Sequence, residues 1–408
     1  MALDLNFVRS QFPAFASPVL SSHAFFENAG GSYPCRQVVD RLTRFYTDRK
    51  VQPYGPYPGA QAGGAEMDEA RVRLAAMMGV VAEEVSFGPS TSANTYILAQ
   101  AVRKWLAGTG GAVVVTDQDH EANSGVWRRL ADEGIEIREW KLDPATGSLD
   151  LGVLAKLLAD GKVRLVCFPH CSNVIAEVND VAAICAMARA AGARTVVDGV
   201  SYAPHGFPDV PALGCDVYLF SAYKTYGPHQ GIMVIGRDFG MELPGQGHFF
   251  NHDTLYKRHT PAGPDHAQVA ACAGMADYID ALAAHHGISG DPAARNRRVH
   301  DLMRAQEETL IQPLLDFLAA RNDLRLIGPR RAAARAPTVA VELNRAAEPV
   351  SEELGRNGIA CWAGDFYAVR PLAALGIDRG KGVLRMSAVH YTSADEVARL
   401  IAALERVL

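Results

Sequence analysis

A lysine stands between two tyrosines in SAYKTYGPHQG, Ser221 to Gly231, and a Gly-Pro pair follows at once. The residues just before it, Val217 to Phe220, form a short apolar run that reads as a buried strand, so Lys224 emerges at a strand end and stops at a turn. Lysines ordinarily occupy solvated faces. One held at the tip of a core strand is either a rim residue or an amine placed to react. Three further strand ends carry polar groups: VTDQDHEANSG puts His120 after one strand, FPHCSNV puts Asn173 after the next, and VVDGVSYAPH puts Asp198 at the tip of a third. Upstream, VSFGPSTSANTYILAQAV reads as strand, turn and helix start, with Ser90, Thr91 and Ser92 in the first turn. Hydroxyls and unpaired backbone N–H groups there form an anion site, because the positive end of the helix faces the ligand.

Singly, each residue has a plainer explanation. Lys224 would be a rim lysine, Asp198 an exposed strand-end acid, His120 a loop histidine, Asn173 a turn residue and Ser90 a helix cap. Together they are the parts that pyridoxal 5'-phosphate requires. That cofactor takes a lysine as its Schiff-base partner and a carboxylate that keeps its ring nitrogen protonated. It also needs a phosphate cradle and a flat side chain against the ring.

These residues must be positioned by an alternation of elements. Apolar runs at Ala112–Asp117, Arg164–His170, Arg194–Gly199, Asp216–Ser221 and Gly231–Gly236 are separated by helical patterns such as DVAAICAMARAAG, Asp180 to Gly192. Such alternation predicts an α/β domain with a mostly parallel sheet covered on both faces, and ligands bind beyond the carboxyl ends of its strands. From about Pro292 the pattern changes to a long helix, then strand candidates at Thr338–Leu343, Gly358–Ala363 and Gly382–Tyr391, and a last helix opening on a capping box of Ser393 and Glu396. This predicts a smaller α+β C-terminal domain. The Pro/Gly/Tyr-rich stretch Val51–Gly64 reads as a long loop.

Composition narrows the function classes. The chain of 408 residues is too long for one compact core. A formal net charge of −5 without a Lys/Arg run argues against nucleic acid as partner. The N-terminus has no basic start or apolar h-region and no apolar stretch reaches the length of a membrane span, so a cytoplasmic protein is expected. Seven scattered cysteines without a C-x-x-C pair indicate neither a disulfide framework nor a metal site. No G-x-G-x-x-G stands at a strand-to-helix turn, which disfavours a dinucleotide enzyme.

The motifs resemble those of the class V aminotransferases, a family of fold-type I pyridoxal-phosphate enzymes that includes the cysteine desulfurases. FFENAGGS resembles the N-terminal LDNAA segment, FGPSTSAN the phosphate turn, DHEAN the histidine motif, VVDGVSYAPH the aspartate motif and SAYKTYGP the lysine motif. GVLRMSAVHYTSADEVARLIAAL resembles the segment whose arginine holds the substrate's α-carboxylate. The resemblance implies a large cofactor domain over residues 26–285, with 1–25 and 286–408 forming the small domain. It makes Lys224 the Schiff-base lysine and proton carrier, Asp198 the partner of the ring nitrogen and His120 the group stacked on the ring. Ser90, Thr91, Ser92, Ser221 and Tyr223 would bind phosphate, with Asn173 and Ser201 near the phenolic oxygen. Arg385, Asn28 and Ala29 would meet the substrate. It also implies a homodimer with shared active sites.

The chain departs from the desulfurase pattern in CWAGDFYAV, Cys361 to Val369, where Tyr367 takes the place of the sulfur-accepting cysteine. Cys361 lies six residues earlier and is expected to be buried in a strand. The expected activity is transamination of a small α-amino acid. The alternatives are β-elimination by a C–S lyase, a desulfurase-like reaction without the usual cysteine, epimerisation, or a catalytically inactive cofactor-binding protein.

Overall fold

The structure, a computed structural model, describes residues 2–408. Seven strands form the large sheet, in the order Val85–Gly88, Gly231–Ile235, Val217–Ser221, Arg194–Asp198, Val163–Pro169, Ala112–Thr116 and Glu136–Trp140. All neighbours run parallel except Gly231–Ile235, which is antiparallel to both strands beside it. The central strands are apolar along nearly their whole length because helices cover both faces. The α/β class and the larger mostly parallel sheet are as the sequence predicts. The helix expected over Asp180–Gly192 spans Val181–Ala190, with the Asp180 carboxylate accepting from Ala183 N–H at 3.0 Å.

A second sheet, fully antiparallel, runs Trp362–Gly364, Val383–Ser387, Thr338–Leu343, Leu324–Ile327. The expected strand Gly358–Ala363 is split. Ile359–Ala360 pairs in parallel with Ala24–Phe25, whereas Trp362–Gly364 pairs with Val383–Ser387. Cys361 falls at the break and is half-buried rather than enclosed in a strand. The strand expected over Gly382–Tyr391 ends at Ser387. The last helix, Ala394–Val407, carries the anticipated capping box: Ser393 Oγ accepts from Glu396 N–H at 3.2 Å and Glu396 accepts from Ser393 N–H at 2.8 Å.

The stretch Val51–Gly64 is not a loop throughout. A helix starts at Pro58 and runs to Met78, since proline at the first helical position gives up no hydrogen bond. Gly64 lies inside it because the Tyr54 ring packs there; a Cβ would come within 2.6 Å of Tyr54 Cδ1.

The 28-residue helix Pro292–Ala319, about 42 Å long, joins the two cores. Its Val299 and Met303 pack with the large sheet, and Leu310, Ile311 and Leu314 pack with the small one. The first residues also divide: Val8 and Phe12 enter the large core, Ala24 the small one. No helix among the described residues is long and apolar enough to cross a membrane.

Candidate active site

Lys224 closes a single 3-10 turn, Ala222–Lys224, directly after its strand. Thr225 locks the turn, its N–H donating to Ala222 O at 2.8 Å and its hydroxyl to Ser221 O at 2.9 Å. Gly227 follows because a Cβ there would lie 2.6 Å from Met275 Sδ. The turn aims Lys224 into a cavity beyond the carboxyl ends of the parallel strands, where such sheets place their ligands. The inner part, about 90 Å³, is lined by Ser90, Thr91, Ser92, His120, Asn173, Asp198, Ser201, Ser221, Tyr223 and Lys224. It shares Lys224, His120, Asn173, Tyr223 and Ser92 with an outer part of about 870 Å³, whose wall also holds Ala29 and Arg385.

Asn28 lies elsewhere. Its amide donates to Phe25 O and Ser387 O and accepts from the Tyr391 hydroxyl, so it ties the N-terminal segment to the small sheet and does not line the cavity.

The anion cradle is built at the start of helix Thr91–Thr109. Ser90 caps it, accepting from Ala93 N–H at 3.1 Å. Thr91 and Ser221 hydroxyls meet at 2.7 Å, and the first N–H groups of the helix have no intrahelical acceptor. Gly231 lets the helix start approach the strand; a Cβ would lie 2.3 Å from Ser90 C.

Burial sets the electrostatics. It pushes the Lys224 amine down to about 8, with the Arg385 charge adding to the effect and Asp198 and Glu27 opposing it. Among the described residues Lys224 has no hydrogen-bonded or ion-paired partner within the chain. Burial likewise raises Asp198, against the Val200 N–H that donates to it at 2.8 Å and against Lys224. Asp119, deeper still, is raised well above the usual carboxylate range by burial and by Asp198. His120 is held down at about 4 by burial and then by Lys224 and Arg385, so it is neutral at pH 7. Its Nδ1 accepts from Ala122 N–H at 3.1 Å, which assigns the proton to Nε2.

An amine lowered to about 8 is nucleophilic over a range where an ordinary lysine is not. In protein freed of any bound aldehyde, reductive alkylation of Lys224 by a small aldehyde should rise with pH and level off above about 8. Peptide mapping across a pH series checks this; a midpoint near the ordinary 10.5 would contradict the burial effect.

The segment Asp365–Tyr367 lines the outer cavity. Phe366 and Tyr367 both take left-handed φ values, 53° and 55°, costly for non-glycine residues. The conformation is held by Asn173 Nδ2 donating to Phe366 O at 2.9 Å, Glu121 N–H to Tyr367 O at 2.9 Å, and Arg379 paired with Asp365 at 2.6 Å. Asn173 Oδ1 is left buried without a donor. Tyr367 is 70% exposed and its ring lies 5.5 Å from that of His120.

Several residues at the cavity escaped sequence reasoning: Glu27, Asp119, Tyr96, Trp362 and Phe366. Asp119 had a signal, an acid directly before His120 in VTDQDHEANSG. Glu27 had none, because its role depends on Arg385, far away in the chain. Arg385 itself is 3% exposed and bonded to Glu27 at 2.8 Å.

The family model for aminotransferase class-V matches residues 24–400. An aminotransferase-like protein of Gibberella zeae is 31% identical over 100% of this chain and 99% of its own. A cysteine desulfurase of Serratia proteamaculans is 29% identical over 100% and 99%. Among solved structures, an apo cysteine desulfurase from Thermococcus onnurineus NA1 superposes with a TM-score of 0.84 at 22% identity, covering 100% of this chain and 98% of that one. The desulfurase CsdA from Escherichia coli gives 0.80 at 22%, covering 100% and 99%. These two likenesses extend to the fold.

Proposed function

The chain belongs to the class V aminotransferase family, and from that premise we propose that it binds pyridoxal 5'-phosphate at Lys224 and transaminates a small α-amino acid. One observation carries the reading: an amine lowered by burial, a buried carboxylate, a neutral histidine and a helix start with free N–H groups line one cavity, with an arginine in its outer wall. These groups fit the cofactor. The Asp198 carboxylate has no arginine partner within the chain among the described residues, and Asn173 Oδ1 lacks a donor. When bound, the cofactor supplies an electron sink for the pair left at Cα.

The chain's own residues divide the remaining work. Thr91, Ser92, Ser221 and Tyr223 would hold the phosphate by N–H and hydroxyl donors. Asp198 would keep the proton on the ring nitrogen, a charge-assisted bond in a dry site. Once displaced by the substrate's amine, the Lys224 amine would take the proton from Cα and deliver it to the cofactor's C4' carbon, the transfer that separates transamination from epimerisation. That group works best with an acidity near the operating pH. His120, uncharged, would present its ring and its Nε2–H beside Lys224. Arg385 would bind the α-carboxylate, and the Asp365–Tyr367 segment would limit water.

Transamination is favoured over desulfuration by the thiol inventory. Tyr367 occupies the segment at the outer cavity. Cys171, which lines the inner cavity, and Cys361 are both pushed up to about 12 by burial, whereas sulfur transfer needs an accessible thiolate. Cys361→Ser should therefore leave turnover within about twofold and change stability by no more than about 1 kcal/mol; loss of activity together with a persulfide on Cys361 in the native protein would contradict this. The proposal itself is tested by incubating the protein with an amino-acid panel and assaying keto acid, ammonia and sulfide. Keto acid formed only with a keto-acid acceptor supports it; pyruvate with stoichiometric ammonia from a β-substituted amino acid would establish the lyase instead.

We also propose a homodimer. Phe249 and Phe250 are 82% and 70% exposed, side chains that a partner would be expected to cover. Light scattering should give twice the 43.8 kDa chain mass; a fully active monomer at assay concentration would refute this.

A further inference from the structure

The guanidinium of Arg385 is already engaged by a carboxylate of its own chain. Nη2 donates to Glu27 Oε1 at 2.8 Å, Nη1 donates to Asn173 O at 3.3 Å, and the Phe366 ring covers one face at 3.7 Å from its centroid. Glu27 gets there by folding back over its own turn. Gly30 N–H donates to Glu27 O at 3.0 Å, and a Cβ on Gly30 would lie 2.5 Å from Glu27 Oε1. The backbone of Gly30 does not require glycine, since its φ is not left-handed. What requires glycine is the space taken by the Glu27 carboxylate. Glu27, Gly30, Arg385 and Lys224 line the same outer cavity.

We propose that Glu27 is an internal carboxylate that occupies Arg385 until a substrate's α-carboxylate displaces it, so that the Glu27–Gly30 turn gates the site. This rests on Arg385 as the carboxylate clamp. A planar guanidinium pairs with carboxylates through its fork, and Arg385 has already committed one N–H of each terminal nitrogen and lost one face. A second carboxylate therefore meets competition. Glu27 can yield because its side chain reaches the outer cavity and keeps 20% of its surface. In its pairing with Arg385 the Glu27 Oε2 is buried without a hydrogen-bond partner, and turning out into the outer cavity that Glu27 lines lets both carboxylate oxygens meet water. The displacement opposes every α-carboxylate alike. It selects ligands that gain further contacts at the cavity wall, where Trp362, opposite Arg385 in strand register, is 64% exposed.

The test titrates propionate, a carboxylate with no amino group to react, into holoenzyme by isothermal calorimetry. The proteins are wild type, Glu27→Gln, Gly30→Ala and Arg385→Ala. The gate predicts a Kd lowered about tenfold, equivalent to about 1.4 kcal/mol, in both Glu27→Gln and Gly30→Ala. Gly30→Ala keeps every charged group and displaces Glu27 by contact alone, so it serves where loss of the Glu27 charge disturbs folding. Unchanged or weaker binding in these two variants, with binding abolished in Arg385→Ala, overturns the gate and leaves the clamp. Propionate binding that Arg385→Ala does not affect, or no binding in any of the four, overturns the clamp and the gate with it.

Discussion

Lys224→Ala should reduce amino-acid turnover by about 10⁴-fold, the upper range of what a positioned acid–base group contributes. The cavity holds no second lysine to replace it. His120, which lines the same cavity, is neutral with its acidity near 4, too weak to take a proton from Cα effectively. The variant should still bind pyridoxal phosphate, because the helix start at Thr91 and the Ser221 hydroxyl are untouched by the substitution. Equilibrium dialysis and single-turnover kinetics separate the two effects. Turnover within tenfold of wild type would show that another group moves the proton.

Asp198→Asn should lower turnover by two to three orders of magnitude while changing cofactor affinity much less. The amide keeps the size of the carboxylate and can accept from Val200 N–H as Asp198 does at 2.8 Å. What it loses is the negative charge. A charge-assisted hydrogen bond contributes about 1.5–3 kcal/mol in an ordinary setting, and a preorganised partner in a water-poor site acts at about 10²–10³-fold in rate. Asp119 is held elsewhere, its carboxyl accepting from the Asn123 amide at 2.9 Å. Comparing kcat with cofactor Kd in Asp198→Asn and Asp198→Ala checks the split; near-normal kcat in Asp198→Ala would remove the assigned role.

The parts of this molecule that could be read from sequence share a cause. Strands such as Val163–Pro169 and Val217–Ser221 are buried on both faces, so their apolar runs stand out, and polar residues at their tips mark the ligand side of a parallel sheet. Lys224, Asp198, His120 and Asn173, picked out at four separate tips, line one cavity for that reason. Features set by distant pairing stayed hidden. Glu136–Trp140 is a half-exposed edge strand with alternating charges and carries no apolar run. The split at Cys361 follows from two different partners, Ala24–Phe25 and Val383–Ser387. The helix from Pro58 was masked by its glycines, which read as loop until Tyr54 is seen packed on Gly64. Glu27 gains its meaning from Arg385, 358 residues away. Asn28 looked like a substrate contact beside it, yet the Tyr391 hydroxyl and the Phe25 and Ser387 carbonyls use its whole amide.

Reduction of the pyridoxal-phosphate-loaded protein with borohydride, followed by peptide mapping in the mass spectrometer, addresses the assignment on which every role above depends. The expected result is a phosphopyridoxyl group, one per chain, on the peptide containing Lys224 and on that lysine alone. A label on a different lysine, or none on a protein that folds and was saturated with the cofactor, would contradict it.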